Sequence, residues 1–109
     1  TGDGIQRRSD IDQFCASRDY FKCKPVYDYL FARRLPGDDA GAFHSAELWY
    51  MFGTLDRCWR PFTDADRELS SQMVEAWTNF CKTGDPSSKN VSWLPFTQED
   101  PYRKVWDVY

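Results

Sequence analysis

The sequence is short of aliphatic side chains, of long apolar runs and of clustered positive charge. Leucine, isoleucine, valine and phenylalanine make up only 21 of the 109 residues, whereas aromatic residues reach 17%. Such an aromatic-rich composition argues against a disordered chain. The longest apolar run, around Leu48 to Phe52, falls far below the roughly 20 residues of a membrane-spanning helix. With a net charge of −3 and no basic run, we expect neither a nucleic-acid nor a membrane partner.

The length favours a single segment over residues 1–109 with one modest core. The chain begins with Thr1 rather than methionine. Its start therefore resembles either the middle of a longer protein or a trimmed end.

Cysteines are few and scattered, and no two of them are spaced as in a zinc-binding pair. This spacing favours reduced thiols in a cytoplasmic protein. A bridge between Cys15 and Cys23, if the chain turns between them, and a secreted location are the alternatives. The remaining cysteines are Cys58 and Cys81.

Three helices are predicted from capping residues and apolar spacing. The first begins near Ser9 and ends near Lys22, because Pro25 disfavours helix in the residue before it. The second spans 45–53.

The third helix, 63–84, begins at Thr63 with Asp66 three residues on, which resembles a capping box. It has a continuous apolar stripe and ends at Gly84. The stripe is formed by Leu69, Met73, Ala76, Trp77 and Phe80.

Residues 25–33 are rich in β-branched and aromatic types, which predicts a strand. Its two faces are both mainly apolar, as in a sheet covered on both sides. Asp28 is the exception. Only one further strand, 104–109, is predicted. The strand at 25–33 therefore lacks neighbours, and we expect the isolated chain to self-associate through it.

His44 is the only histidine. It stands at a junction between a loop and a helix, where catalytic groups concentrate. A histidine that activates a nucleophile needs one ring nitrogen facing that nucleophile and the other held by a carboxylate. A lone histidine is otherwise structural or merely exposed. Glu47, three residues on, shares a helical face with it, but two ligands make a poor metal site, so no metal or other cofactor is expected.

Four blocks of sequence together resemble the C-terminal part of the type-B carboxylesterases, a family that includes para-nitrobenzyl esterases and cholinesterases. The resemblance covers nearly the whole chain from about Asp10 onward. It implies an α/β fold, namely a C-terminal fragment of an α/β-hydrolase that is mainly helical, with about three helices and one or two strands. The blocks are residues 25–29, residues 41–53 around His44, residues 77–86 ending in Thr-Gly-Asp-Pro, and residues 93–96.

The resemblance implies that His44 is the general base of a Ser–Glu/Asp–His triad acting on a small-molecule ester. It makes Glu47 a residue that braces the histidine loop. The family usually has glycine directly after this histidine, where this chain has Ser45. We expect that difference to alter loop flexibility or a local hydrogen bond without removing the base.

The family's nucleophile lies in a Gly-x-Ser-x-Gly elbow, and none of the serines in this chain has glycine two residues to each side. The triad acid and the oxyanion loop also precede this region in the family. We therefore expect the chain alone to be inactive.

The runner-up hypothesis is an aromatic-rich module that binds carbohydrate or protein, in which exposed tryptophans stack on a ligand. Such a module should be secreted and built mainly of strands, and the predicted helix at 63–84 argues against it. Asp38 and Asp39 resemble a carboxylate pair of a second site, but we expect them to lie in a solvated turn.

Overall fold

The computed structural model describes residues 2–21 and 24–108, with side chains described from residue 10 onward. The chain divides into two compact units, which are described separately. The first comprises Thr1–Tyr29 and Trp93–Lys104, and the second comprises Leu30–Ser92 and Val105–Tyr109.

Three α-helices are present, together with a short 3-10 helix at Leu55–Arg57, among the described residues. Helix α1 spans Gly2–Tyr20. The predicted start at Ser9 is therefore wrong, since no proline or turn signal between Gly4 and Ser9 stops the helix from extending towards the N-terminus. The predicted end near Lys22 lies next to the observed end, and Lys22 itself is outside the described residues.

Helix α3 spans Asp64–Thr83, as its sequence pattern predicts. The hydroxyl of Thr63 accepts a hydrogen bond from the amide of Asp66, whose carboxylate in turn accepts one from the amide of Thr63. This capping box satisfies two helix-terminal donors. At the other end Gly84 adopts a left-handed conformation with φ of +80°, which glycine tolerates best.

The stripe of α3 is buried at Leu69, Met73 and Ala76. Phe80, which the spacing places on the same stripe, is 46% exposed. Helix α2 packs against α3, and Trp77 on the same stripe is half-buried, so the exposure of the stripe increases towards the C-terminal end of α3.

Helix α2 spans only Leu48–Met51, so the prediction of a helix over 45–53 is too long at both ends. Residues 44–47 form a turn instead. The cause is Ser45, whose φ of +67° is incompatible with a right-handed helix. Gly53, with φ of +66°, ends the segment on the other side.

Strand β1 spans Asp28–Phe31 and pairs with β2, which spans Arg103–Trp106. Both strands are shorter than predicted. An isolated antiparallel bridge joins Val26 to Phe96. The sheet of the described residues has only these two strands, and self-association through residues 25–33 stays a prediction.

Asp28, the polar exception in the predicted strand, is buried, whereas its apolar neighbours from Val26 to Ala32 are half-buried. Its carboxylate accepts a hydrogen bond from Nε of Arg103 at 2.8 Å. Its carbonyl oxygen accepts another from the indole of Trp93 at 3.1 Å. Burial at this position therefore follows from specific partners, which an alternation of apolar and polar residues does not reveal.

Each unit has its own buried residues. In the first unit they include Cys15, Trp93 and Phe96. In the second unit they are drawn from the loops, α2, α3 and the end of β2, and they include Leu35, Ala46, Tyr50, Leu55, Leu69, Met73, Ala76, Val91 and Trp106. Within the described part of the chain no helix is both long and apolar enough to cross a bilayer.

Candidate active site

His44 lies in the second unit, on the turn that precedes α2, and its side chain is exposed. Two backbone hydrogen bonds define the turn. The amide of Ala46 donates to the carbonyl of Phe43 at 3.1 Å, and the amide of Leu48 donates to the carbonyl of Ser45 at 3.2 Å. Ala46, two residues after His44, is completely buried. The imidazole therefore projects from a backbone that is fixed immediately behind it.

Ser45 has the only positive φ among the non-glycine residues that the structure describes. A left-handed conformation costs an L-residue with a Cβ about 1–2 kcal/mol relative to the right-handed one. The position after the histidine therefore favours glycine for a backbone reason. Ser45 adopts this conformation and bears its strain.

Glu47 is the N-cap residue of α2, and its side chain makes no capping hydrogen bond. Its carbonyl oxygen accepts from the amides of Tyr50 and Met51. Among the described residues, no hydrogen bond or ion pair joins its carboxylate to His44 or Ser45. Its predicted bracing role therefore rests on no side-chain contact in this chain, and stays a prediction.

A buried polar cluster around Asp66 fixes the helices behind the histidine turn. The carboxylate of Asp66 is fully buried and accepts a bidentate pair of hydrogen bonds from Arg33, from Nε at 2.7 Å and from Nη2 at 2.9 Å. The phenol of Tyr50 donates to the same carboxylate at 2.7 Å. Ser70 then donates to the carbonyl of Tyr50 at 2.8 Å. The segment that follows β1, helix α2 and the first turn of α3 are thus joined by one acid.

These contacts set the ionisation of the cluster. Burial acts to raise the pKa of Asp66, but the hydrogen bonds from Arg33, Thr63 and Tyr50 outweigh it and hold the pKa well below its usual range. Burial, reinforced by the neighbouring carboxylate, raises the pKa of Tyr50 well above its usual value. The acid is therefore a fixed anion and the phenol a fixed donor. Neither group is available for proton transfer near neutral pH.

Arg103 organises a second cluster, in the first unit. It contacts the carboxylates of Asp28 and Asp12. Cys15 is buried nearby, and desolvation together with the charges of Asp28 and Asp12 raises the pKa of its thiol. A thiol held in its protonated form is a poor nucleophile. Cys15, Cys58 and Cys81 are free, and Cys23 lies outside the described residues.

The remaining candidates, an acidic pair, a metal site and a ligand-binding module, find no support in the described residues. Asp38 and Asp39 lie in an exposed turn, as expected, and Asp38 forms an ion pair with Arg60. The described residues contain no group of three or more histidine, cysteine or acidic side chains placed to hold a metal ion. Helices of 19 and 20 residues beside two strands of four residues do not match the strand-dominated module of the runner-up hypothesis.

The contacts of three residues at this site could not have been predicted from the sequence. Asp66 was identified only as a capping residue, and nothing in the pattern connects it with Arg33, which is 33 positions away. Tyr50 carries no sequence signal for its role, because its hydroxyl donates to Asp66, 16 positions away. Arg60 carries no motif at all.

Comparison with known proteins decides the family. The model of the carboxylesterase family matches residues 8–105. The chain belongs to the carboxylesterase family. It is 40% identical over 82 residues to a para-nitrobenzyl esterase of Bacillus subtilis (strain 168), a match that covers 69% of this chain and 16% of that protein. It is 35% identical over 91 residues to a bile salt-activated lipase of Rattus norvegicus, which covers 76% of this chain and 15% of that protein.

Solved structures agree with this carboxylesterase assignment. A thermophilic PNB esterase aligns with a TM-score of 0.75 and 32% identity, over 86% of this chain and 20% of its own. An esterase from Clostridium hathewayi has the same fold, with a TM-score of 0.84 at 24% identity, over 92% of this chain and 20% of its own. The chain thus represents part of an α/β-hydrolase fold. It spans 15% and 16% of the length of the two curated relatives described above.

Proposed function

We propose that this carboxylesterase segment supplies the triad histidine, His44, of a serine-dependent enzyme that hydrolyses carboxylic esters. The supporting observation is the exposed imidazole of His44 on a turn in which Ala46, two residues after the histidine, is completely buried. A catalytic base needs an accessible ring on a fixed backbone. Membership of the carboxylesterase family, with His44 inside the matched residues 8–105, supports the same role.

In the proposed reaction the imidazole of His44 takes the proton of a serine hydroxyl as that oxygen attacks the ester carbonyl. The tetrahedral intermediate collapses, the ester C–O bond breaks, and the imidazolium returns the proton to the departing alcohol. A water molecule then attacks the acyl-serine while His44 takes its proton. Return of that proton to the serine oxygen releases the carboxylic acid and restores the starting state.

The nucleophile must come from residues outside this chain. None of its eight serines has a glycine two positions away on both sides; they are Ser9, Ser17, Ser45, Ser70, Ser71, Ser87, Ser88 and Ser92. The oxyanion donors, which account for much of the acceleration in acyl transfer, are also assigned to the remainder of the enzyme. The 109-residue chain alone is therefore expected to hydrolyse esters no faster than free imidazole does.

The test is a chimera in which residues 8–105 replace the matching segment of the Bacillus subtilis para-nitrobenzyl esterase. We expect the chimera to hydrolyse a short-chain aryl ester, and H44Q to lower kcat on the order of 10⁴-fold with the fold unchanged by circular dichroism. Glu47→Gln, which removes an acid three residues away, should cost much less. A correctly folded H44Q chimera that kept a tenth of the parent activity would refute the proposal.

A further inference from the structure

Arg60 is the side chain that holds the loop leading into His44. Its guanidinium carbon lies 5.2 Å from the centroid of the Phe43 ring and 4.7 Å from that of Trp59. Its Nη1 donates to the carbonyl of Pro36 at 3.1 Å and to the carboxylate of Asp38 at 2.8 Å. Three of these four partners belong to the loop at 36–43. The last of them, Phe43, is the residue directly before the histidine.

The loop is closed and pressed against the same segment that carries Arg60. The amide of Leu35 donates to the carbonyl of Gly41 at 3.2 Å, which joins the two ends of the loop. A Cβ on Gly37 would approach the indole of Trp59 to 2.9 Å, so the backbone lies on that ring without room for a side chain. Arg60 thus completes a surface that receives the loop from Pro36 to Phe43.

The chemistry of this contact requires arginine. A planar guanidinium can lie over aromatic rings while its N–H groups bind two oxygens, whereas an ammonium is a compact point charge. The Arg60 side chain is only 8% exposed, although Asp38 is 43% exposed. Asp38 is further oriented by the amide of Ala40, which donates to its carboxylate at 3.1 Å.

We propose that Arg60 is a positioning residue for His44: by clamping Pro36, Asp38 and Phe43 it fixes the backbone on the N-terminal side of the catalytic imidazole. The role rests on the proposed function, because it presupposes that His44 takes part in the reaction. Arg60 itself touches no reacting atom. A displacement of about 1 Å at a catalytic group can cost on the order of 10²-fold in rate. Release of this loop therefore acts on the chemical step.

The first measurement needs no activity. Amide hydrogen exchange is followed in the 109-residue chain by NMR, and over residues 34–47 of the chimera by mass spectrometry. In Arg60→Met the amides of Leu35 and Ala46 should exchange at least about tenfold faster, while Met73 in α3 is unchanged. Arg57→Met, an equal change of charge at an exposed arginine three residues earlier, is the matched control. Exchange at Leu35 and Ala46 within about twofold of the parent would overturn the proposal.

The second measurement is steady-state kinetics of the same variants in the chimera. Arg60→Met should lower kcat by about 10- to 100-fold with KM nearly constant. Arg60→Lys should recover part of the loss, because it keeps the ion pair with Asp38 but loses the stacking. An unchanged kcat, or a loss confined to KM, would contradict a positioning role. If H44Q leaves the chimera active, the proposed function fails, whereas the exchange data still decide whether Arg60 clamps the loop.

Discussion

The backbone on the C-terminal side of His44 and the backbone on its N-terminal side are held by different kinds of contact. After the histidine, Ala46 and Tyr50 are completely buried, and Tyr50 donates to the buried carboxylate of Asp66. Before it, an exposed loop is held by one arginine, Arg60, through an ion pair, a carbonyl and two aromatic rings.

This difference in contacts predicts that one side of His44 contributes mainly to the stability of the fold and the other mainly to the position of the histidine. Removing one partner of a buried ion pair leaves an uncompensated charge and costs several kcal/mol. Ion pairs with an exposed member contribute little to the free energy of unfolding. We therefore expect changes around Asp66 to lower the free energy of unfolding of the segment, and changes around Arg60 to loosen the histidine loop while the rest of the fold persists.

The largest expected effect on stability is at Arg33. Arg33→Met removes both guanidinium bonds to the buried carboxylate of Asp66 and should lower the free energy of unfolding by about 3 kcal/mol, as measured by urea denaturation. Arg34→Met is the matched control, since Arg34 is adjacent and exposed, and it should change the free energy by less than about 0.5 kcal/mol. Equal losses in the two variants would contradict the claim that the buried contact between Arg33 and Asp66 stabilises the backbone behind the histidine.

The next prediction is that the free energy of unfolding falls at acidic pH. The folded-state pKa of Asp66 lies below its ordinary value of 3.8, so the unfolded chain binds the proton more readily. The stabilisation from this group is therefore complete above the unfolded pKa and is lost as the pH falls from there towards the folded pKa. Urea denaturation between pH 7 and about pH 3 should show this loss, in part through Asp66.

Asp66→Asn should flatten the acid dependence, whereas Asp39→Asn, in the exposed turn, should leave the slope as it is. An acid dependence that was the same in Asp66→Asn as in the parent would show that the buried carboxylate does not couple folding to protons.

The smallest effect is at Ser45. Ser45→Gly relieves the left-handed strain of about 1–2 kcal/mol but loses about 0.5–1 kcal/mol through the entropy of the unfolded glycine. The net gain in the free energy of unfolding should therefore lie between zero and about 1.5 kcal/mol. Ser17→Gly, at an exposed position inside α1, should instead be destabilising. A destabilised Ser45→Gly variant would mean that the serine hydroxyl stabilises the fold by more than the strain of the left-handed backbone destabilises it.

The sequence was sufficient where a local pattern determines structure. The capping residues Thr63 and Asp66 and the terminal Gly84 predicted α3 closely, because each acts on its own helix end. The same reasoning failed at α2, where Ser45 carries no sign that its backbone is left-handed. The resemblance to a family with glycine at this position led only to an expected change in loop flexibility or in a local hydrogen bond, not to a left-handed backbone.

Contacts between distant residues could not be predicted. The burial of Asp28 depends on Arg103, 75 positions away, and that of Asp66 depends on Arg33. Periodicity in the sequence predicts which face of a strand or helix a side chain lies on. It does not predict the side chain's partner, because that depends on how whole elements pack together. Arg60 was missed for the same reason. His44 was a candidate because it is a single histidine at a junction between a loop and a helix, whereas its role as general base came from the family resemblance and stays a proposal.

The most direct test of the central claim, that His44 is the base which activates the serine, is the rate at which a fluorophosphonate labels the nucleophile of the chimera. This reaction needs the serine oxygen to be deprotonated as fluoride leaves phosphorus, but it needs no turnover. We expect H44Q to slow labelling by at least about 10³-fold, while Glu47→Gln stays within about tenfold of the parent. A folded H44Q chimera that was labelled at the parent rate would contradict the assignment of His44.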